Sequence, residues 1–170
     1  MQNATIASLF EELADLLELQ GANPFRVRAY RNAARTLEAT SQSVADVVAT
    51  PGHDLTSLEG IGKDLAEKIE TIVSTGTHPA LEEARAQFPP DVRQMLRIPG
   101  IGPKKVAALI KELQIQSLAD LKAACEQDRV AGLKGFGKKT QQVILEGMAH
   151  REAAGNRVLL YHAKSAVDEI

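Results

Sequence analysis

The stretch Ile98-Pro99-Gly100-Ile101-Gly102-Pro103-Lys104-Lys105 governs how the rest of the chain is interpreted. Its Gly-x-Gly turn joins two apolar segments, and glycine allows both a sharp turn and a close approach of the backbone to another molecule. Pro103 suits the first position of a helix, where its missing N–H costs nothing. Unpaired amides at a helix start attract anions, and Lys104 and Lys105 add positive charge there. The stretch therefore predicts a phosphate-binding turn.

Two further copies of this pattern turn a single motif into a repeat. Leu58-Glu59-Gly60-Ile61-Gly62-Lys63 lies 40 residues upstream, and Leu133-Lys134-Gly135-Phe136-Gly137-Lys138-Lys139 lies 35 residues downstream. We expect the middle apolar residues, Ile61, Ile101 and Phe136, to pack between two helices while the glycine amides face outward. The pattern is that of the helix-hairpin-helix motif, which holds the sugar-phosphate backbone of DNA without reading the bases. The alternative for each copy is a tight helix–helix turn that binds nothing.

The three copies differ in charge. The first has Glu59 in its turn and acidic surroundings, so we expect it to hold a phosphate more weakly than the second. The third is as basic as the second, although Phe136 is unusual in the packing position. Because the predicted contacts are electrostatic, affinity should depend steeply on salt and hardly on base sequence. The residues predicted to contact phosphates are Gly60, Gly62, Lys63, Gly100, Gly102, Lys104, Lys105, Gly135, Gly137, Lys138 and Lys139.

The net charge of -2 hides an uneven distribution along the 170 residues. Residues 21–40 carry four arginines against one glutamate, and residues 97–170 carry twelve bases against eight acids. Local potential rather than the sum steers a polyanion, so these regions are the candidate DNA contacts. The single cysteine excludes an internal disulfide framework, and no apolar run reaches the ~20 residues of a membrane span. We expect a cytoplasmic, nucleoid-associated monomer that does not bind a membrane.

Helical periodicity covers most of the chain, and no segment has the pattern of a β-strand of any length. We therefore expect an all-α fold of two small helical subdomains built on the three hairpins. The break Phe88-Pro89-Pro90 places their boundary between residues 1–88 and 89–152, and Ala153-Ala154-Gly155-Asn156 predicts a link into the start of a further domain (153–170). The predicted helices cover residues 4–20, 24–39, 44–49, 63–74, 79–87, 91–97, 103–113, 118–124, 138–150 and 158–170.

Charged side chains form distinct faces on the first two predicted helices. In the helix that begins at Asn23-Pro24, an apolar stripe includes Tyr30, and Arg26 lies one turn before it. A basic helix with an aromatic residue can hold a phosphate, and the alternative is a solvated basic face. The apolar face of this helix consists of Val27, Tyr30, Ala34 and Leu37, and its basic face consists of Arg28, Arg31 and Arg35. The preceding helix has an acidic face made of Glu11, Glu12, Asp15 and Glu18, which we expect to be solvated.

The joint order of four motifs resembles the N-terminal part of family X DNA polymerases, with the bacterial branch as the best match. The resemblance covers about residues 3–150 and rests on residues 23–34, 58–69, 98–103 and 132–137. It implies a lyase-type domain followed by a helix-hairpin-helix subdomain, acting on gapped, nicked or 5′-phosphorylated DNA in base-excision repair. The nucleotidyl-transfer palm of that family has no counterpart, so we expect no polymerase activity here and a longer parent protein.

The resemblance also implies roles for individual residues. Arg26 and Tyr30 match the 5′-phosphate pocket of the family, and Phe25 stands where a residue stacks on a template base. Backbone carbonyls at the first two hairpins hold a monovalent cation in the family, Na⁺ or K⁺, and no divalent metal site is expected. The matching carbonyls belong to Thr56, Leu58, Ile61, Leu96, Ile98 and Ile101.

Lys68 falls at the position of the Schiff-base lysine in family members with 5′-deoxyribose-phosphate lyase activity. That chemistry needs a neutral amine, whereas Asp64, Glu67 and Glu70 stabilise the charged form. We expect an ion pair between Asp64 and Lys68 and weak or absent lyase activity. Three hypotheses follow: the DNA-binding part of a repair polymerase, an independent lyase, and a helix-hairpin-helix module for protein interaction.

Overall fold

A computed structural model of the chain describes residues 1–167, and side chains as far as residue 156. This described part contains helices and turns but no strand, so the all-α prediction is confirmed. The helices are α1 (Asn3–Leu19), α2 (Pro24–Ala39), α3 (Val44–Ala49), a 3-10 turn (Leu55–Ser57), α4 (Lys63–Thr75), α5 (Pro79–Ala86), α6 (Pro90–Met95), α7 (Pro103–Leu113), α8 (Leu118–Glu126) and α9 (Lys138–Val167).

Local signals set most helix ends correctly. The helices predicted for residues 24–39, 44–49 and 103–113 have the same bounds in the structure. At the start of α2, the Asn23 side chain accepts a hydrogen bond from Phe25 N (2.9 Å), and Pro24 occupies the first helical position. The N-cap and the proline act together to begin the helix where the sequence indicates.

The link predicted at residues 153–156 is wrong, because α9 continues through it as one helix of 30 residues. Alanine is the best helix former, and one glycine costs only about 1 kcal/mol, so the segment does not break the helix. The end of the helix predicted for residues 158–170 lies outside the described residues. Despite the length of α9, no helix in the described part is apolar enough to cross a bilayer.

The chain forms two compact units, the first being Met1–Arg93 and the second beginning at Gln94. In the first unit α1 packs along α2, and the rings of Phe10 and Tyr30 meet edge to face with centroids 5.7 Å apart. Such a pair adds about 0.5–1.5 kcal/mol beyond the burial of its area. The predicted apolar stripe of α2 is confirmed, because Val27, Tyr30, Ala34 and Leu37 are all buried.

The acidic face of α1 is paired rather than solvated, which corrects the prediction. Arg31 of α2 donates to Asp15 Oδ1 (2.9 Å) and to Glu18 Oε2 (2.5 Å). Arg85 of α5 binds both carboxylate oxygens of Glu12, at 2.8 and 2.6 Å. These arginines come from elements that pack on α1 only in the folded chain, so helical periodicity alone does not reveal the pairs.

In the second unit Met95, Leu109, Leu121 and Ile144 are buried, and they come from the end of α6, from α7, from α8 and from α9. Ser117 and Asp120 form a capping box at the start of α8. Cys125 is also buried, and burial raises the pKa of its thiol to about 11. The cysteine is therefore a packing residue rather than a reactive thiol.

We predict that Arg31→Gln destabilises the protein by about 1–3 kcal/mol at pH 7, because it removes hydrogen bonds to two carboxylates. Burial already raises the pKa of Asp15 above its ordinary value despite Arg31. Without the guanidinium, Asp15 binds a proton more readily in the folded than in the unfolded state. The loss of stability should therefore shrink as the pH falls from about 7 to about 5.

Urea unfolding at several pH values measures this effect. Arg35→Gln is the matched control, because Arg35 is exposed on the same helix and its variant should stay within about 0.5 kcal/mol of the parent. Equal losses for the two variants, or a loss that grows on acidification, would contradict the role given to Arg31.

Candidate nucleic-acid interface

The three hairpin turns share one pattern of backbone hydrogen bonds. In each, one bond leads into the turn, a second closes it, and a third begins the following helix. The leading bond is donated by the backbone N–H of Leu58, Ile98 and Leu133 and is 3.1 Å long in all three turns. The closing bond is donated by Ile61 (3.1 Å), Ile101 (3.3 Å) and Phe136 (3.1 Å). The helix bond is donated by Ala66 (2.9 Å), Val106 (3.0 Å) and Gln141 (3.0 Å).

The first glycine of each turn has a left-handed backbone. The φ angles are +75° at Gly60, +87° at Gly100 and +83° at Gly135, a region that other residues adopt only at a cost. The second glycine of the first two turns, Gly62 and Gly102, is extended and caps the next helix. All of these glycines are exposed and Gly137 is half-exposed, so the turns are open to solvent beside the helix starts.

The leading helix of the motif is incomplete in two copies. The 3-10 turn precedes the first hairpin, and hydrogen-bonded turns rather than a helix precede the third. Only the second copy has an α-helix, α6, in front of its turn. The turn geometry is nevertheless the same in all three, so it does not require a full leading helix.

The middle residues of the turns confirm the packing prediction in two copies out of three. Ile61 and Ile101 are each 3% exposed, whereas Phe136 is only half-buried. The ring of Phe136 instead faces Lys105, whose Nζ lies 5.7 Å from the ring centroid. At this distance the cation and the ring attract each other.

Lys104 and Lys105 are not equivalent. Lys105 Nζ donates to Gly100 O (3.2 Å) while it lies against Phe136, and it therefore links the second turn to the third. Lys104 is exposed, as are Lys138 and Lys139. The structure thus divides the basic residues into one that holds two turns together and others that remain open to a ligand.

Two glycines allow α9 to pack closely on the second turn. A Cβ atom at Gly100 would lie 2.9 Å from Val143 Cγ1, and a Cβ atom at Gly147 would lie 2.9 Å from Ile98 Cγ2. Both distances are shorter than real carbon contacts, so a side chain at either position would force Val143 or Ile98 to shift. Sequence reasoning did not single out Gly147, although a glycine inside a helical pattern often marks close packing.

Gln141 is a further residue that sequence reasoning missed. It is 7% exposed, and it takes the place that Ala66 and Val106 occupy in the other two copies. Its Oε1 accepts from Ala131 N (2.9 Å) and its Nε2 donates to Asp128 Oδ1 (2.8 Å), so it holds the segment before the third turn. A polar residue at a repeated apolar position was the available signal.

In the first unit, a groove between α2 and α4 brings together the residues that the resemblance singled out. Arg26, Tyr30, Lys63, Asp64 and Lys68 line it. Arg26 and Lys63 are exposed, whereas Tyr30 is buried and forms part of the wall. The groove therefore offers two cationic side chains beside the start of α4.

The ion pair predicted for Lys68 is confirmed, with Nζ 2.5 Å from Asp64 Oδ1. The Lys68 side chain is only 13% exposed, whereas that of its partner Asp64 is 78% exposed. Lys68 is therefore more enclosed than a typical surface lysine. Glu70 does not pair with Lys68 but accepts from His53 Nε2 (3.0 Å), and this hydrogen bond raises the pKa of His53. Asp64 is thus the carboxylate that holds the lysine.

Phe25 at the start of α2 is 77% exposed. The guanidinium carbon of Arg28 lies 5.9 Å from its ring centroid. An aromatic ring this exposed, supported by an arginine, presents a flat apolar face on which a planar group can stack. Among the described residues, no group of three or more His, Cys, Asp or Glu side chains is placed to hold a metal ion.

Comparison with known proteins gives matches to both units. A helix-hairpin-helix domain family matches residues 1–78, and a SAM-like helix-hairpin-helix tandem family matches residues 92–148. The DNA polymerase/3′-5′ exonuclease PolX of Bacillus subtilis (strain 168) is 36% identical over 170 residues, which is 100% of this chain and 29% of PolX. The Holliday junction branch migration complex subunit RuvA of Azoarcus sp. (strain BH72) is 29% identical over 135 residues, 64% of this chain and 66% of RuvA.

We predict opposite effects on stability for two glycine-to-alanine substitutions in α9. A methyl group at Gly155 would meet no atom within 4 Å, so Gly155→Ala should stabilise the protein by about 0.5–1 kcal/mol. Gly147→Ala should destabilise it, because overpacking against the buried Ile98 costs about 1–3 kcal/mol and exceeds the gain in helix propensity. Thermal unfolding of both variants measures the difference, and equal stabilisation would show that α9 does not pack closely on the second turn.

Proposed function

Because this chain belongs to the family X DNA polymerases in their helix-hairpin-helix region, we propose that it binds gapped or nicked DNA through the backbone phosphates, as a monomer and independently of base sequence. The observation that carries this proposal is the common geometry of the three turns, each with a left-handed glycine and an open helix start. Such binding would place the protein on the nucleoid.

The second and third turns are the strongest proposed contacts. Amides at a helix start favour an anion, and Lys104 and Lys139 follow the turns at equivalent positions. Lys105 and the packing of α9 on Gly100 hold these two turns in a fixed relation. A pair of contacts held at fixed spacing loses less conformational entropy on binding than two independent contacts.

The groove between α2 and α4 is the proposed 5′-phosphate site. Arg26 and Lys63 supply positive charge, and a guanidinium can donate two parallel hydrogen bonds to a phosphate. Tyr30 shapes the wall of the groove, and Phe25 offers its exposed ring to a template base. Recognition of a phosphorylated end would distinguish gapped DNA from continuous duplex.

We also propose that Na⁺ or K⁺ binds at the first and second turns through the carbonyls of Thr56, Leu58 and Ile61, and of Leu96, Ile98 and Ile101. Carbonyl oxygens are suitable ligands for such ions. Leu58 O and Ile98 O each accept one amide hydrogen bond at equivalent positions, which leaves each a second lone pair. The ion would add positive charge close to a bound phosphate.

Lyase activity is a second candidate function, because Lys68 lines the same groove as Arg26 and Tyr30. In that reaction a neutral Nζ attacks C1′ of the open-chain sugar and water leaves to form a Schiff base. Loss of the C2′ proton then breaks the C3′–O bond, so that the downstream strand leaves with a 5′-phosphate, and water hydrolyses the remaining Schiff base to free Nζ. The ion pair with Asp64 stabilises the charged amine, so we propose that the activity is weak or absent.

We predict that Lys104→Gln weakens binding to gapped DNA about 3–10-fold, equally for different base sequences, and lowers the salt slope (log Kd against log salt) by about 0.9, as expected for one lost phosphate contact. Lys111→Gln is the matched control, because it removes the same charge from the other end of α7. Fluorescence anisotropy at several KCl concentrations measures both quantities.

Unchanged binding by Lys104→Gln would exclude the second turn as a main contact. No affinity for DNA at modest salt would instead favour the protein-interaction hypothesis. The same titrations in tetramethylammonium chloride test the cation proposal, because carbonyls cannot coordinate this bulky ion. Equal affinity in the two salts at equal concentration would overturn that part.

We predict that borohydride traps little or no covalent adduct between the protein and an abasic 5′ end. Asp64→Asn should increase the trapped amount, because it removes the carboxylate that stabilises the charged Lys68. Lys68→Ala, alone and combined with Asp64→Asn, is the control that identifies the reacting amine. A strong wild-type adduct that disappears in Lys68→Ala would show an active lyase.

A further inference from the structure

We propose that Arg35 and Asn32 of α2 form a separate site for a backbone phosphate beside the first hairpin turn. This proposal rests on the proposed DNA binding and assigns a contact to a face of α2 outside the 5′-phosphate groove. Its starting point is a mismatch in the first turn, which shares the geometry of the repeat but not its net positive charge, because Lys63 is outnumbered there by Glu59 and Asp64.

The first turn has the backbone of the other two but a negative rather than a positive side-chain charge, since Lys63 is its one cation. Gly60 has a φ of +75°, and the closing bond from Ile61 N to Leu58 O is 3.1 Å. Asp64 occupies the position that Lys104 and Lys139 occupy in the other copies. Because Glu59 adds a second acid, Lys63 alone does not make the turn positive, and a cation from elsewhere in the fold would favour a phosphate there.

The side chains of α2 supply that cation. Thr36 Oγ1 donates to Glu59 O (2.8 Å), which attaches the turn to α2 directly after Arg35. A groove runs along this junction, lined by Asn32, Arg35, Thr36, Ala39, Glu59 and Gly60. It shares no lining residue with the groove of Arg26 and Lys68. The first hairpin therefore has two distinct grooves against different parts of α2.

Arg35 is oriented by an uncharged hydrogen-bond partner, and the carboxylate of Glu11 on α1 attracts it electrostatically. Its Nη2 donates to Asn32 Oδ1 (2.8 Å), an uncharged partner on the preceding helical turn. Two other arginines of this unit differ, because Arg31 and Arg85 bind carboxylates of α1. An exposed guanidinium held by an amide keeps its charge and further N–H donors for a phosphate.

The chemistry of the groove fits a nucleic-acid backbone. A guanidinium can bind two phosphate oxygens at once, and the exposed Gly60 allows a strand to approach the turn closely. The carboxylate of Glu59 lies at the same groove and opposes an anion there. The ligand of the site is thus a phosphate diester. Attraction by Arg35 and repulsion by Glu59 together determine how tightly the phosphate binds.

The experiment measures gapped-DNA affinity and salt slope for three variants of the full chain. Arg35→Gln should weaken binding about 3–10-fold and lower the salt slope by about 0.9. Glu59→Gln should strengthen binding, and Arg35→Lys should keep the slope while losing part of the affinity, because lysine lacks the planar fork. Lys111→Gln provides the control for loss of one charge, and thermal unfolding verifies that each variant is folded.

The outcomes separate this proposal from the one on which it rests. If Lys104→Gln weakens binding while Arg35→Gln matches the parent in affinity and slope, the Arg35 site is wrong and DNA binding stands. If Arg35→Gln lowers affinity without changing the slope, the phosphate contact is likewise excluded. If neither variant changes binding, the Arg35 site and the second-turn contact are both wrong, whereas no affinity of the parent for DNA at modest salt would overturn the proposed DNA binding itself.

Discussion

The left-handed glycine of the hairpin turn is the constraint on which both units depend. A residue with a Cβ pays about 1–2 kcal/mol for this conformation, so the position at 60, 100 and 135 stays glycine. The closing hydrogen bond and the extended glycine that follows then fix where the next helix starts. Because the backbone determines this geometry, the surrounding side chains are free to differ. That freedom explains how the side chains of one turn are mainly acidic while those of the other two are mainly basic.

In the second unit, side chains that differ between the copies connect the second turn to the third. Lys105 and Phe136 meet across the turns, and α9 packs on Gly100 through Val143. Phe136 is thus an exception to the apolar packing position because it has acquired a partner outside its own hairpin. In the first unit the same turn attaches to α2 through Thr36, so the two units support a common turn by different contacts.

Features encoded locally could be predicted from the sequence, whereas features that depend on packing could not. The start of α2 and the hairpins were predictable because Asn23-Pro24 and the Gly-x-Gly turns act within a few residues. The ion pair of Lys68 was predictable for the same reason, since Asp64 is one helical turn away. The partners of Arg31 and the fixed role of Lys105 were not, because each involves an element distant in sequence. The link predicted at Gly155 was wrong because a glycine in the sequence suggests a helix end even where the helix continues.

Gln141 shows that the three copies of the hairpin are not interchangeable. Apolar contacts at Ala66 and Val106 have little directional preference, but the amide of Gln141 must meet one backbone N–H and one carboxylate at defined angles. A hairpin with this glutamine therefore packs well only against a segment that presents both a free backbone N–H and a carboxylate, as residues 128–131 do. The third hairpin therefore could not be exchanged for either of the other two without the loss of both hydrogen bonds.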